Sequence, residues 1–281
     1  MKNLIFKSSF HEKLKMLLIA VGLIVAGINT AWARWTVAAS STEIINGSST
    51  WSPSTTTNDL TNVTGNYWAL EVSNKTLTSG TKQFKICKDQ GWSEAYPSQN
   101  YNFTTPAGSG YTILYTFDSS NKTIHAYAFK TWTIAGTEAA LGSDWDVADT
   151  NNDMTKSNAY TYTLTKTNVA LTGSTTYECK AAKDHAWGEA YPGSNATFSV
   201  ATTGRYDITF TLDLSTQSVT VSTTESTYSI TLNKNGGSAN GSATATYNIT
   251  SLSSVSAPTR SNYHVAGYYT NSACTTKVAT P

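Results

Sequence analysis

From Tyr111 to Phe117 an apolar side chain falls on every second residue, at Tyr111, Ile113, Tyr115 and Phe117. The same beat returns at Tyr206, Ile208, Phe210 and Leu212. A period of two belongs to a strand with one buried face. Each run ends in a polar stretch, Asp118-Ser-Ser-Asn-Lys122 or Asp213-Leu-Ser-Thr-Gln217, rich in the residues that close hairpins. Strands resume at 124–129 and 218–222. Others are predicted at 81–88 and 176–183, and at 100–104 and 195–200. Neither stretch contains a long amphipathic helix. Many short strands with frequent turns predict an all-β protein of two tandem small antiparallel β-sandwiches.

The tandem reading rests on a repeat. Lys88-Asp-Gln-Gly-Trp92-Ser-Glu-Ala-Tyr96-Pro97 returns 95 positions on as Lys183-Asp-His-Ala-Trp187-Gly-Glu-Ala-Tyr191-Pro192. Two copies of one module account for it. The copies open alike, with Trp35-Thr-Val-Ala and Trp132-Thr-Ile-Ala, which predicts core positions for Trp35 and Trp132. The boundaries that follow are 34–130 and 131–223, joined by a few residues near Lys130. Ahead of them, residues 1–33 have the form of a cleavable export signal. Lysines at 2, 7, 13 and 15 precede an uncharged, mostly apolar run and an Ala31-Trp32-Ala33 cleavage motif. That run is short for a membrane span. The mature protein is expected to be secreted or displayed at the cell surface, with no membrane span after cleavage.

Composition narrows the class. Only 13% of residues are charged and the formal net charge is +1, so there is no basic field to draw nucleic acid. Sixteen Tyr and eight Trp among Ser, Thr, Asn and Gly suit a neutral ligand with both apolar faces and hydroxyls. Cys87, Cys179 and Cys274 are widely spaced, and no Cys of one copy matches a Cys of the other. They form neither a disulfide framework nor a zinc pattern. Within the copies, alternation turns Tyr177, Cys179 and Ala181 to one face and Glu178 and Lys180 to the other. In the first copy it turns Phe84 and Ile86 inward and Lys85 and Cys87 outward. The repeated Trp92 and Trp187 read as loop residues. An earlier Trp stands in each copy in a Gly/Ser stretch, at Trp51 and Trp145, and an Asn precedes the next strand, at Asn100 and Asn195.

This order of Gly-Ser…Trp, aromatic-Lys strand, Trp and Asn resembles the starch- and glycogen-binding modules attached to pullulanases, branching enzymes and the beta subunit of the AMP-activated kinase. The pullulanase-associated form is the most similar, through Gly-Ser-x-Trp-Asp and Trp-x-Glu-x-Tyr. The resemblance implies that Trp145 and Trp187 stack on glucose rings while Lys180 and Asn195 bond hydroxyls. Trp51, Trp92, Lys85 and Asn100 are the matching set in the first copy. Tyr96 and Tyr191, before proline, are candidates as walls of the same sites or as packing struts. Residues 224–281 resemble another family, the internalin-type B-repeat or Listeria–Bacteroides repeat. They carry a strand running into Asn235-Gly236-Gly237 and then Pro258-Thr-Arg260-Ser-Asn-Tyr263-His-Val-Ala-Gly267-Tyr268-Tyr269. That resemblance implies a small β-grasp-like surface module.

The expected function is binding of a polysaccharide, an α-glucan of the starch or glycogen kind, by Trp stacking with Lys and Asn hydrogen bonds. Two weak sites on one chain gain avidity on a polymer where geometry lets both engage. The chain is read as non-enzymatic and free of cofactors. Asp89 with Glu94, or Asp184 with Glu189, offers paired carboxylates of the kind used in glycoside hydrolysis, but on one short turn of a small module. The Asp144–Asp153 run lacks the glycine of a calcium loop and reads as turn chemistry. The alternative is an adhesin or spacer with a surface protein partner, in which the Trp side chains are packing.

Overall fold

The structure, a computed structural model, describes residues 33–238, 242, 244–247, 256–269, 275 and 277–278. The expected export signal, up to residue 32, and Cys274 lie outside them. The first copy contains the strands β1 (Trp35–Ala39), β2 (Thr61–Thr64), β3 (Tyr67–Leu77), β4 (Gly80–Lys88), β5 (Ala95–Thr105), β6 (Gly108–Asp118) and β7 (Thr123–Phe129). The second runs β8 (Trp132–Gly136), the one-turn helix α1 (Glu138–Leu141), β9 (Thr155–Lys156), β10 (Thr161–Leu171), β11 (Tyr177–Lys183), β12 (Ala186–Phe198), β13 (Gly204–Asp213) and β14 (Ser218–Glu225). The short strands β15 (Tyr228–Thr231), β16 (Thr244–Tyr247), β17 (Tyr268–Tyr269) and β18 (Lys277–Val278) follow. Both copies share one topology. Three-stranded sheets run β1-β4-β5 and β8-β11-β12, and four-stranded sheets run β2-β3-β6-β7 and β9-β10-β13-β14. The fold is all-β, with two tandem antiparallel sandwiches followed by a small β module.

The chain divides into two compact units. One holds the residues up to Thr61 together with Thr81–Asn102. In it β1 pairs antiparallel with β4, from Trp35 opposite Lys88 to Ala39 opposite Phe84. Phe84 and Ile86 are buried as the alternation predicts, Trp35 is a core residue as expected, and β1 is buried at every position. Cys87, expected to face outward, is fully buried. The reason is non-local. Leu60 donates its N–H to the Trp35 carbonyl, and Thr36, opposite Cys87, bridges to Asp59. Residues 59–60 therefore close the outer edge of β1, and Cys87 lies on β4 in the interior of the widened sheet. Burial pushes the Cys87 thiol up to about 11, which keeps it protonated and unreactive.

The other unit holds Asn62–Gly80 and the chain from Phe103 on. The sandwich of the second copy lies wholly within it. Trp132, Ile134, Tyr177, Cys179 and Ala181 from one sheet and Tyr162, Leu171, Ile208, Phe210 and Leu212 from the other form its core. The ring of Phe198 meets Phe210 edge-on at 5.9 Å. The core continues into the four-stranded sheet of the first copy, because Ala69, Leu114, Tyr127 and Phe129 belong to the same cluster. Tyr127 donates its hydroxyl to the Leu214 carbonyl, and Lys156 pairs with Glu71. This sheet therefore meets the second sandwich through a fixed, mostly apolar contact beside the short 130–131 link. In the C-terminal segment β15 pairs with β16 and β17 with β18, and the Arg260 guanidinium lies 4.4 Å over the Tyr263 ring.

Candidate functional site

The repeated motif folds as a hairpin. Lys183 pairs with Ala186 across a two-residue turn, and both turn residues, Asp184 and His185, have positive φ (51° and 56°). That is the turn type whose twist suits neighbouring strands. Asp89 and Gln90 adopt the same left-handed pair of conformations at 49° and 59°. Asp tolerates this region better than most residues, and here its carboxylate is also held. Asp184 accepts from the backbone N–H groups of Lys130 and Thr131, and Asp89 accepts from that of Arg34. One expectation is corrected here. Trp187 lies within β12 rather than on a loop, because the tight turn lets pairing resume at Ala186. Trp92 precedes β5 in a run of turns and bends.

The second tryptophan of each site arrives from a different segment. Trp51 and Trp145 both sit at φ 51°, a conformation that costs a bulky side chain about 1–2 kcal/mol. Their N–H groups donate to Ala39 and Gly136 carbonyls at 2.8 and 2.9 Å, which ties each strained residue to the end of β1 or β8. The result is a tilted pair of rings in each copy. Trp51 and Trp92 have centroids 6.4 Å apart at 47°, and Trp145 and Trp187 stand 6.1 Å apart at 46°. Trp92 and Trp187 are each 47% exposed, although the protein has ample apolar core in which to place them. Trp51 and Trp145 are half-buried.

In the first copy the predicted polar residues gather beside the rings. Trp51, Lys85, Trp92, Ser98 and Asn100 help to line an open cleft of about 370 Å³. The Lys85 amine donates to the Pro97 and Ser98 carbonyls at 2.8 and 2.7 Å, and the Lys180 amine donates to Gly193 at 2.8 Å. Carbonyl anchors fix the two lysines in place. Ammonium protons beyond these bonds remain for a ligand. Asn100 donates to Gln83, and Asn195 donates to Glu178, each at 3.2 Å. Gln83 also donates to Asn102 at 2.8 Å. Gln83 and Glu178 were not among the sequence candidates. Their signal was the alternation itself, since each stands two residues before the site lysine on the same side of its strand.

Tyr96 and Tyr191 occupy a different layer. Both follow the Glu of the motif and precede a cis proline bond. The Tyr96 ring packs on Trp35 at 6.1 Å and the Tyr191 ring on Trp132 at 5.7 Å. Their hydroxyls donate to Glu94 and Glu189, and Tyr191 also accepts from Gln217 at 2.9 Å. Glu94 and Glu189 in turn pair with Lys88 and Lys183, and the Glu94 hydrogen bond holds the Lys88 amine above its usual pKa. The paired carboxylates considered for acid–base chemistry are thus engaged separately, the Asp by strand-entry amides and the Glu by Lys and Tyr. In the acidic run, Asp149 accepts from Ser143 and Asn151, which pull its carboxyl below the usual carboxylate range. His185 bonds Asp153 at 2.7 Å. Among the described residues no group of three or more His, Cys, Asp or Glu could hold a metal ion, and no helix is long and apolar enough to cross a membrane.

Comparison with known proteins adds a family. The model of the pullulanase X25 domain matches twice, over residues 34–124 and 131–219. The model of the Listeria–Bacteroides repeat domain matches residues 228–281. Among solved structures, a pullulanase from Bacillus acidopullulyticus aligns over 68% of this chain at 14% identity, with a TM-score of 0.29. The chain spans 28% of that enzyme's length. A search of curated proteins gave no match.

Proposed function

This chain belongs to the pullulanase X25-domain family, and from that membership we propose that its two sandwiches hold α-glucan chains of the starch or glycogen type. The modules matched are accessory binding and repeat modules rather than catalytic ones, so the role is capture of a polysaccharide. One observation carries the reading. In both copies a strained, half-buried Trp and a 47%-exposed Trp form a tilted pair, and in the first copy that pair lines one cleft with the anchored Lys85 and the oriented Asn100.

Each part has a physical use. A glucose ring offers an apolar C–H face and a rim of hydroxyls. Trp presents a flat, rigid apolar surface at little entropic cost. Two rings tilted by about 46–47° suit a curved chain whose successive sugars turn, as an α-linked glucan does, better than a flat ribbon. Lys85 and Lys180 donate to hydroxyl oxygens, while Asn100 and Asn195 keep a carbonyl oxygen as acceptor after giving an N–H to Gln83 or Glu178. In this reading Tyr96 and Tyr191 serve the site from beneath, as struts between the core tryptophans and the motif's Glu. Export to the cell exterior, where such polymers are met, follows from the form of residues 1–33.

The test is migration of the mature chain in native gels containing soluble starch, glycogen, β-glucan, xylan or no polymer. Retardation in starch and glycogen only is expected. Retardation solely in β-glucan or xylan would discard the α-glucan assignment, and unchanged mobility in every gel would discard binding.

A further inference from the structure

The two sites share their tryptophans and lysine but differ in charge. Along the outer side of β4 the neighbour of Lys85 is Gln83, a neutral amide that accepts from Asn100 and donates to Asn102. At the same place on β11 stands Glu178, an exposed carboxylate that accepts from Asn195. The tryptophan loops differ in the same sense. Trp51 lies between Thr50 and Ser52, and Trp145 lies between the exposed Asp144 and Asp146. One Asp146 oxygen caps the Ala148 N–H at 2.8 Å. Lysine is constant, and at three matching positions, Gln83, Thr50 and Ser52, the second copy has Glu178, Asp144 and Asp146, so carboxylates stand around the second tryptophan pair where the first has neutral side chains.

Resting on the binding function proposed above, we propose that the two sites sort glycan by charge. The Trp145–Trp187 site admits uncharged α-glucan and turns away chains that bear acidic substituents. The Trp51–Trp92 site takes both. The physical basis is simple repulsion. A carboxylate at the rim cannot donate a hydrogen bond to an anionic group, and one about 7 Å from another anion in water lowers affinity about threefold. The exposure of these groups makes the effect screenable, since the Debye length falls from about 30 Å to about 3 Å between 0.01 and 1 M salt.

The experiment uses the whole mature chain with one site disabled at a time. Trp92→Ala leaves the second site, and Trp187→Ala leaves the first. Affinity for amylose and for carboxymethyl-amylose is measured at both salt extremes. At low salt the Trp92→Ala protein is expected to favour amylose over the carboxymethylated polymer, roughly threefold for each contributing carboxylate. The Trp187→Ala protein is expected to show no such preference. Glu178→Gln, which keeps an acceptor for Asn195, should reduce the discrimination of the second site by about threefold. Gln83→Glu should introduce it at the first, and high salt should erase it in both. Equal amylose to carboxymethyl-amylose ratios in the two single-site proteins overturn the sorting and leave the binding function standing. So does a ratio that salt and Glu178→Gln do not move. Loss of amylose binding by both proteins while the parent chain still binds shows that neither site holds glycan alone and overturns sorting by independent sites, and undiminished amylose binding by a Trp92→Ala/Trp187→Ala protein places the sugar site elsewhere and overturns it too. A parent chain that binds no amylose overturns the function and the sorting with it.

Discussion

Replacing Trp187 by alanine separates a ligand platform from a packing residue. An aromatic side chain buries about 150–250 Å² when fully covered, and Trp187 is 47% exposed. That leaves roughly 100 Å² of Trp187 open, of which a sugar lying on one ring face covers about half. Adding the matching area on the sugar, about 100 Å² leaves water, worth about 2.5 kcal/mol at 25 cal/mol per Å². Ordering the sugar offsets part of this, so Trp187→Ala should weaken the second site by roughly 2 kcal/mol, or about 30-fold. The cost to folding is smaller. The ring's main partner is Trp145, tilted at 6.1 Å, and an aromatic pair of this kind contributes about 0.5–1.5 kcal/mol. A loss of that size lowers the melting temperature by only a few degrees in a chain of this length. Calorimetric titration of a maltooligosaccharide into Trp92→Ala and Trp92→Ala/Trp187→Ala proteins reads the affinity, and a thermal melt reads the stability. Affinity changed by less than about twofold (under about 0.5 kcal/mol) would refute the platform. A fall in melting temperature above about 10 °C would show that the ring is structural.

Three further outcomes follow from the packing. Tyr127→Phe leaves the Leu214 carbonyl without its buried donor and should cost about 1–3 kcal/mol, read as a shift of the urea midpoint with an unchanged slope; no shift would show that the contact between the first copy's sheet and the second sandwich does not depend on it. Gly136→Ala should destabilise the second sandwich by about 1–3 kcal/mol, although Ala39 occupies the matching place at the end of β1, because its Cβ would lie 2.2 Å from the Glu178 carbonyl and 2.8 Å from the Cys179 Cα; a melting curve that matches the parent would refute the clash. Burial lowers the pKa of His125, so the folded protein resists protonating it while the unfolded chain takes up a proton near its ordinary value of about 6.5. The stability His125 governs is then full above that pH and falls as pH drops toward the lower folded value. His125→Gln should flatten the urea-midpoint profile across this window, and an unchanged slope would count against it.

The sequence by itself determined the duplication, the strand periodicity and the order of the site residues. Alternation was enough to turn Tyr177, Cys179 and Ala181 inward and Lys180 outward, because the side-chain period of a strand is a local property. The pairing of Lys85 with a Trp and an Asn was legible through resemblance of short motifs in fixed order. What the tertiary structure decided depends on residues distant in sequence. Cys87 is buried on a central strand whose neighbour β1 is itself edged by residues 59–60, which no periodicity within β4 reveals. Trp187 sits on a strand because pairing resumes at Ala186 directly after the Asp184-His185 turn, whereas after the like turn of the first copy Lys88 bonds Glu94 and Trp92 is left ahead of β5. Gln83 and Glu178 join the candidate sites only because β5 and β12 bring Asn100 and Asn195 against them. The contact of β6 and β7 with the second sandwich likewise could not be read from two similar copies, since a copy of a module carries no instruction for how it meets its neighbour. Local patterns fix which face of a strand is apolar; which surface covers that face is set by long-range packing, and here that packing brings the two tryptophans of each site together.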